Sequence, residues 1–370
     1  MKDLHGIIFS YESPNALGEL AAHRTGASVP FGGRYRVVDF MLSNMVNAGI
    51  TDVGVVMHGN YQSLMDHLGT GKEWDLSRRH GGLKLLPLAA NAESSLDPVF
   101  HGRVAALNAV KSYLREIKQE YIFMADGDVV VNLPIEDVLR QHIATGADVT
   151  AVCTADLRDA EESSCFQLDG SGRIVSTAYA MPVPQGYRSL EMFLLSKKTL
   201  LALVEECIAH NETSWRRAVL QGRVESLHLH GYVWSGYAAC IRSIGQYYRR
   251  SMELLQSDIR RELFRPDRSI RAKDSSNLAS YVDAGCRCVN SLVADGCLIE
   301  GSVENSILFP GVKVGRGAEV RNCILFKNAV VGYGATLHCA ILDKRTEIQP
   351  DRTLMGYETY PLVIGKDLEI

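Results

Sequence analysis

Nine aliphatic residues near the carboxyl end keep a strict period. Leu308, Val314 and Val320 are six apart, as are Leu325, Val331 and Leu337, and again Leu342, Ile348 and Leu354. Each triplet begins seventeen residues after the previous one. Cys297 and Val303 fit the same lattice one coil earlier, and glycine follows several positions, as at Val314-Gly315 and Val331-Gly332. A triangular coil with one aliphatic side chain stacked per face has this arithmetic, and each coil needs its neighbours to bury the stack. The spacing predicts a left-handed parallel β-helix of hexapeptide repeats over residues 291–370.

The preceding two-thirds of the chain follows a different rule. Apolar runs at Gly6–Phe9, Asp52–Met57, Tyr121–Ala125 and Asp148–Cys153 read as strands. Stretches with helical periodicity separate them: Val37–Asn47, where Val38, Met41, Leu42, Met45 and Val46 recur three and four apart, then Tyr61–Leu68, Val104–Ile117 and Ile135–Thr145. Gln246–Leu255 reads as a further helix. Such alternation predicts an α/β domain over residues 1–255 with a mostly parallel, Rossmann-like sheet. Ligands of such sheets bind beyond the carboxyl ends of the strands, so chemistry is expected after Phe9 and after Ala125. Residues 256–290, charged and poor in apolar runs, are expected to connect the two domains.

Composition removes several function classes. The 370 residues are 46% hydrophobic and 22% charged, as in an ordinary globular chain. A net charge of -4 without any Lys/Arg run offers no field for nucleic acid. No apolar stretch approaches the roughly 18 residues of a membrane span. The N-terminal apolar run is too short for a signal peptide, so a cytoplasmic location without a membrane partner is expected. Nine scattered cysteines read as reduced, mostly buried thiols. Cys286-x-Cys288 and His228-x-His230 lack a second pair at zinc-finger spacing and read as packing residues. Signatures of P-loops, dinucleotide folds, serine hydrolases and zinc proteases are missing.

Local sequence carries a more specific signal. Val29-Pro-Phe-Gly-Gly-Arg-Tyr-Arg-Val-Val-Asp39-Phe, then Ser43-Asn44 and Asn47-Ala-Gly-Ile50, resembles the signature V-P-F-G-G-K-Y-R-I-I-D-F…S-N…N-S-G-I of ADP-glucose pyrophosphorylases. Gln62-Ser63-Leu64, His67-Leu68, Trp74-Asp75-Leu76 and Gly81-Gly82 continue the likeness, and Ser291–Ser306 and Tyr360–Gly365 are similar to the family's β-helix segments. The resemblance covers essentially the whole chain. It implies a nucleotidyltransferase-like domain fused to the β-helix, and a role in glycogen synthesis, where that enzyme joins ATP and glucose 1-phosphate into ADP-glucose and pyrophosphate using Mg²⁺.

Position by position, the resemblance also implies what is missing. Catalytic members follow the first strand with G-G-x-G-T-R-L, whose glycines let backbone approach the triphosphate and whose Arg neutralises it. Here the same place holds Tyr11-Glu12-Ser13-Pro14-Asn15-Ala16-Leu17. Tyr11 adds a Cβ, Glu12 a negative charge, Pro14 removes a donor, and Ala16 replaces the Arg. Of the family's two metal-binding aspartates, Asp128 is retained and Cys240 stands in place of the second, a poor ligand for Mg²⁺. Gly102–Ala106 lacks the Asp of G-T-A-D-A, and Ala178–Pro182 lacks the Lys that binds the sugar phosphate.

This pattern resembles a D-type companion subunit, which bacteria pair with a catalytic C-type subunit. The resemblance implies a regulatory, catalytically degenerate member of a mixed tetramer, with no tightly bound cofactor of its own and Mg²⁺ in the catalytic partner. Arg24 and Arg36 fall where related enzymes contact effectors. With Lys344 they are expected to form a site for an anionic sugar phosphate or nucleotide. A competent adenylyltransferase with a rebuilt nucleotide loop is the alternative, favoured by Asp128. A β-helix acyltransferase using His338, or a pure scaffold, are further readings.

Overall fold

The computed structural model describes residues 3–10, 17–88, 102–160, 163–181, 183, 186–273 and 278–370. The chain divides into two compact units: Met1–Tyr11, Met41–Tyr61 and Leu68–Ala238 form one, while Glu12–Phe40, Gln62–His67 and Ala239–Ile370 form the other. This division differs from the sequence-based one at residues 255 and 291. The signature segment around Val29–Asp39 groups with the β-helix instead of with the α/β sheet. The expected connection is also structured, since it carries a helix at Ser257–Leu263 and the first coil strand at Tyr281–Val282.

The first unit is built on one nine-stranded sheet. Its strands are β1 (Leu4–Ser10), β2 (Asp52–Met57), β3 (Gly82–Pro87), β4 (Tyr121–Asp126), β5 (Val149–Thr154), β6 (Ser164–Leu168), β7 (Ile174–Tyr179), β8 (Tyr187–Ser196) and β9 (Leu229–Trp234). The order is β7-β6-β8-β4-β1-β2-β3, with β5 between β8 and β9. Pairing is parallel across β3, β2, β1 and β4, and between β5 and β9. β8 runs antiparallel to β4, β5 and β6, so the sheet is parallel on one side and mixed on the other. β8 follows β6 and β7 by short returns, and antiparallel pairing needs no helical crossover. All seven residues of β1 are buried, as a central strand with both faces covered requires.

Eight α-helices accompany the sheet and the β-helix: α1 (Val37–Asn47), α2 (Gln62–Leu68), α3 (Arg103–Ala109), α4 (Lys111–Glu116), α5 (Ile135–Thr145), α6 (Lys197–Ala209), α7 (Ile244–Glu253) and α8 (Ser257–Leu263) among the described residues. Side-chain caps explain two boundaries. Ser196 Oγ accepts from Thr199 N at the start of α6, and Ser243 Oγ accepts from Gln246 N, starting α7 two residues before the apolar periodicity does. The single helix expected over Val104–Ile117 is two, because Val110 leaves helical angles at φ -101° and ψ 20°. None of the described helices is long and apolar enough to cross a membrane.

The β-helix has three five-stranded parallel sheets of very short strands. Inward residues stack in register: Ile299, Val314, Val331 and Ile348 in one sheet; Val303, Val320, Leu337 and Leu354 in the next; Val293, Leu308, Leu325, Leu342 and Ile364 in the third. Each fully buried aliphatic side chain contributes about 1.5–3 kcal/mol. The seventeen-residue lattice therefore holds for eight of its nine core positions as an inner buried stack, with Leu354 half-buried at the end. It slips once. Ile299, not Cys297, lies over Val314, because the corner between Ile299 and Val303 is two residues shorter than the corner between Val314 and Val320. Gly301 makes that corner possible: a Cβ there would lie 2.5 Å from the carbonyl oxygens of Gly315 and Ala318.

The third sheet is apolar on its outer side too. Ile307, Ile324 and Ile341 alternate with the inward leucines yet are fully buried. α7 and the hairpin Pro30–Arg36 cover this surface. Tyr248 Oη donates to Asn322 O at 2.7 Å, Tyr247 meets Phe326 edge-on at 6.1 Å, and Gly33, at φ 79°, brings its backbone over Ile307. Tyr247 Oη also donates to Pro30 O at 2.8 Å, and Tyr35 stacks on Phe264 at 5.2 Å. The signature segment thus seals one face of the β-helix.

Candidate functional site

Two places gather the chemistry-bearing side chains, one in each unit. In the first unit the carboxyl ends of β1 and β4 lie side by side, with Phe9 paired to Asp126. This is where a parallel sheet receives a ligand. Tyr11, Glu12, Pro14 and Ala16, which follow β1, lie outside the described residues. Asp128 is half-buried just beyond β4.

Over these strand ends sits Arg103, the first residue of α3. Its Nη2 donates to Asp126 Oδ1 at 2.7 Å and lies 3.4 Å from Glu191 Oε2. The guanidinium is held between two rings, 5.2 Å from the centre of Phe9 and 4.8 Å from that of Phe193, with a side chain only 5% exposed. Sequence patterns did not single out this residue: within Gly102–Ala106 the missing Asp is the conspicuous feature, not the cation that stands there. The available signal was the Arg itself, at the start of an otherwise apolar helix.

Mg²⁺ requires hard oxygen donors. Asp128 is a half-buried carboxylate, whereas Cys240 is a buried thiol at the end of the short strand Ala238–Cys240. Among the described residues no three His, Cys, Asp or Glu side chains converge as a metal site. A thiol is a poor partner for Mg²⁺, so this pair of residues does not suit that ion. His228 and His230 approach edge-on with centroids 6.0 Å apart, and His230 is buried against Gly172. Ala178 and Tyr179 end β7, and Met181 is 66% exposed.

The second unit brings Arg24, Arg36 and Lys344 together from three separate stretches. Arg24 is buried and donates from Nη2 to both carboxylate oxygens of Asp343, at 2.9 and 2.8 Å. Its Nη1 is buried without a hydrogen-bond partner among the described residues. Arg36 Nη1 donates to Ser63 O at 2.7 Å and to Ser63 Oγ at 3.0 Å, and also to Ser28 Oγ. Asp39 braces the turn behind it, accepting from Arg36 N at 2.9 Å and lying 2.6 Å from His67 Nε2.

Charge accumulates here. Burial pushes the Arg36 guanidinium down to about 10, with Asp39 opposing and Arg24 reinforcing. The Lys344 ammonium is pushed down to about 7, by burial first and then by Arg36 and Arg24. Lys344 has no side-chain hydrogen bond or ion pair among the described residues. Arg345, the next residue, turns away to Asp367, at 2.5 and 2.8 Å. Three basic side chains crowd against two carboxylates, Asp343 and Asp39, and an anion would relieve the repulsion that disfavours the charge on Lys344.

Comparison with known proteins matches both units. Residues 16–176 match the family described as nucleotidyl transferase, and residues 278–360 match the GlmU-like C-terminal hexapeptide family. The glycogen biosynthesis protein GlgD of Bacillus subtilis strain 168 is 36% identical over 98% of this chain and 96% of its own length. GlgD of Geobacillus stearothermophilus is 36% identical over 85% of this chain and 82% of its own. The glucose-1-phosphate adenylyltransferase of Geobacillus stearothermophilus is 29% identical over 82% and 80%. With near-complete coverage at this identity, this chain belongs to the GlgD family of glycogen biosynthesis proteins.

Proposed function

We propose that this chain is a regulatory subunit, without appreciable catalysis of its own, of the enzyme that forms ADP-glucose and pyrophosphate from ATP and glucose 1-phosphate in bacterial glycogen synthesis. One observation supports the reading: Cys240, which the resemblance aligns with the second metal-binding aspartate of catalytic members, is a buried thiol and so a poor ligand for Mg²⁺. Phosphoryl transfer depends on positioning and charge neutralisation, and loss of one neutralising group costs about 10³-fold or more. The likeness to GlgD proteins, and at lower identity to glucose-1-phosphate adenylyltransferases, supports this role. The partner is a catalytic subunit of that enzyme in a cytoplasmic hetero-oligomer, in our reading a tetramer. The Arg24, Arg36 and Lys344 cluster receives an anionic sugar phosphate or nucleotide that tunes the partner.

The purified chain, assayed alone for ADP-glucose formation, is expected to be at least about 10³-fold below a catalytic subunit. Added to that subunit, it is expected to change its rate or effector response. Robust synthesis by the chain alone would remove the reading in favour of a competent enzyme with a rebuilt loop, for which the retained Asp128 speaks. Cys240→Asp separates the two: a large gain in Mg²⁺-dependent turnover belongs only to the competent enzyme.

A further inference from the structure

We propose that Arg103 is an internal plug, whose guanidinium, clamped between Phe9 and Phe193 and paired with Asp126 and Glu191, fills the crevice at the strand ends of the first unit and excludes a nucleotide from it. The proposal deepens the reading of a degenerate subunit by naming the group that closes its site, and it rests on that reading.

The plug is placed by the backbone. A Cβ on Gly102 would lie 2.2 Å from Thr213 O, and Val104 N donates to the same oxygen at 3.1 Å. The start of α3 is thereby pinned, and Arg103 is aimed over β1 and β4. The walls are dry: Phe9 and Phe193 belong to the unit's main core, and Trp215 packs on Phe193 at 5.9 Å.

The second wall has been bent to meet the cation. β8 carries a bulge between Ser189 and Met192, and Glu191 within it adopts φ 54°. An L-residue other than Gly, Asn or Asp rarely holds that conformation, and it persists only where surroundings over-determine it. Here Glu191 N donates to Ser189 Oγ at 3.0 Å, while Glu191 O and Oε2 both lie 3.4 Å from Arg103 Nη2. The strained position delivers a carboxylate to the guanidinium.

The electrostatics follow. Two carboxylates, Asp126 and Glu191, already pair with this cation, and Asp128 adds a further acidic side chain just beyond β4. A polyphosphate entering the crevice must displace a buried ion pair and then face acidic groups, so entry is opposed both by volume and by charge.

The test is calorimetric titration of the full chain with ATP, with and without Mg²⁺. Wild type is expected to show no saturable binding at millimolar ATP beyond any that Lys344→Met abolishes at the cationic cluster of the second unit. Arg103→Thr combined with Glu191→Gly removes the cation and relaxes the bulge, and is expected to bind ATP at least about tenfold more tightly than wild type, a shift of about 1.4 kcal/mol. Arg103→Lys should stay closed. ATP binding by wild type that Arg103→Lys weakens would make Arg103 a phosphate ligand and overturn the proposal. A folded double variant that stays silent would also overturn it while leaving the regulatory role intact, since that role is judged by ADP-glucose synthesis, alone and with the catalytic subunit. Should the double variant misfold, phenylglyoxal labelling of the wild type decides. Arg103 must react at least about tenfold more slowly than the exposed Arg140, and equal reactivity refutes a plug.

Discussion

Arg24 and Asp343 lie 319 positions apart in the chain and meet in a buried pair, two hydrogen bonds of 2.9 and 2.8 Å from one guanidinium nitrogen. The pair ties the segment after β1 to a corner of the β-helix, and both partners belong to the same compact unit. Removing one member of such a pair strands the other without a counter-charge. Asp343→Asn is therefore expected to destabilise this unit by about 3 kcal/mol. Denaturant unfolding of the variant beside wild type measures it; an unchanged midpoint refutes it.

Lys344 makes anion binding at the same cluster dependent on pH. Its ammonium titrates near 7 in the folded chain, well below its ordinary value, because burial, Arg36 and Arg24 disfavour its charge. A bound anion restores the charge, so binding above that pH takes up a proton. Affinity for inorganic phosphate or a sugar phosphate is expected to fall as pH rises from 6 to 8, by up to about tenfold per unit. Lys344→Met should weaken binding and flatten the profile. The stability term has the opposite sign: the unfolded chain holds the proton up to about 10.5, so this group's contribution to stability increases as pH climbs from 7 towards 10.5 and is lost as pH falls back through 7.

His142 gives the first unit a sensitivity to acid. Burial pushes its imidazole down to about 4, with Asp148 opposing and His230 and His228 reinforcing, and Nδ1 lies 2.8 Å from Thr150 Oγ1. The unfolded chain binds a proton near 6.5 while the folded one resists until about 4. Stability from this group is full above 6.5 and drains away as pH falls through that window, by on the order of 2 kcal/mol. His142→Gln should flatten the pH dependence of the melting temperature between those values. A slope identical to wild type would exclude His142 as its source.

Gly301 is one of the tight backbone corners of the coil. Gly301→Ala forces a Cβ to within 2.5 Å of two carbonyl oxygens, those of Gly315 and Ala318, neither of which can withdraw without breaking the ladder. A loss of about 1–3 kcal/mol is expected. The same exchange at Gly285, where nothing lies within 4 Å, serves as the control and should cost little. Thermal melts of the two variants compare them directly.

The β-helix was legible because its period is imposed by backbone geometry, and aliphatic stacking writes that period into the sequence at Leu308, Val314, Val320 and their successors. The shortened corner was not, since a lattice extrapolated backwards lands on Cys297, which is buried as well and so raises no alarm. Helices such as Val37–Asn47 and Ile135–Thr145 matched their apolar periodicity residue for residue. β8 was harder: Tyr187–Ser196 is buried on both faces and carries no alternation to separate a strand from a buried helix. The grouping of the signature segment with the β-helix depends on long-range packing, such as Tyr247 on Pro30, that no local pattern encodes. For the cationic cluster, residue type and likeness singled out Arg24, Arg36 and Lys344, but not that Asp343 neutralises one of them or that Arg345 points elsewhere.

The isoleucine ladder Ile307, Ile324 and Ile341 has a practical corollary for anyone dissecting this protein. Its cover comes from α7 and from the hairpin around Gly33, both outside the last eighty residues, so that tail expressed by itself would present a greasy stripe to water and clump. Chimeras that exchange tails at a single splice point inherit the same defect unless the amino-terminal hairpin travels with the tail.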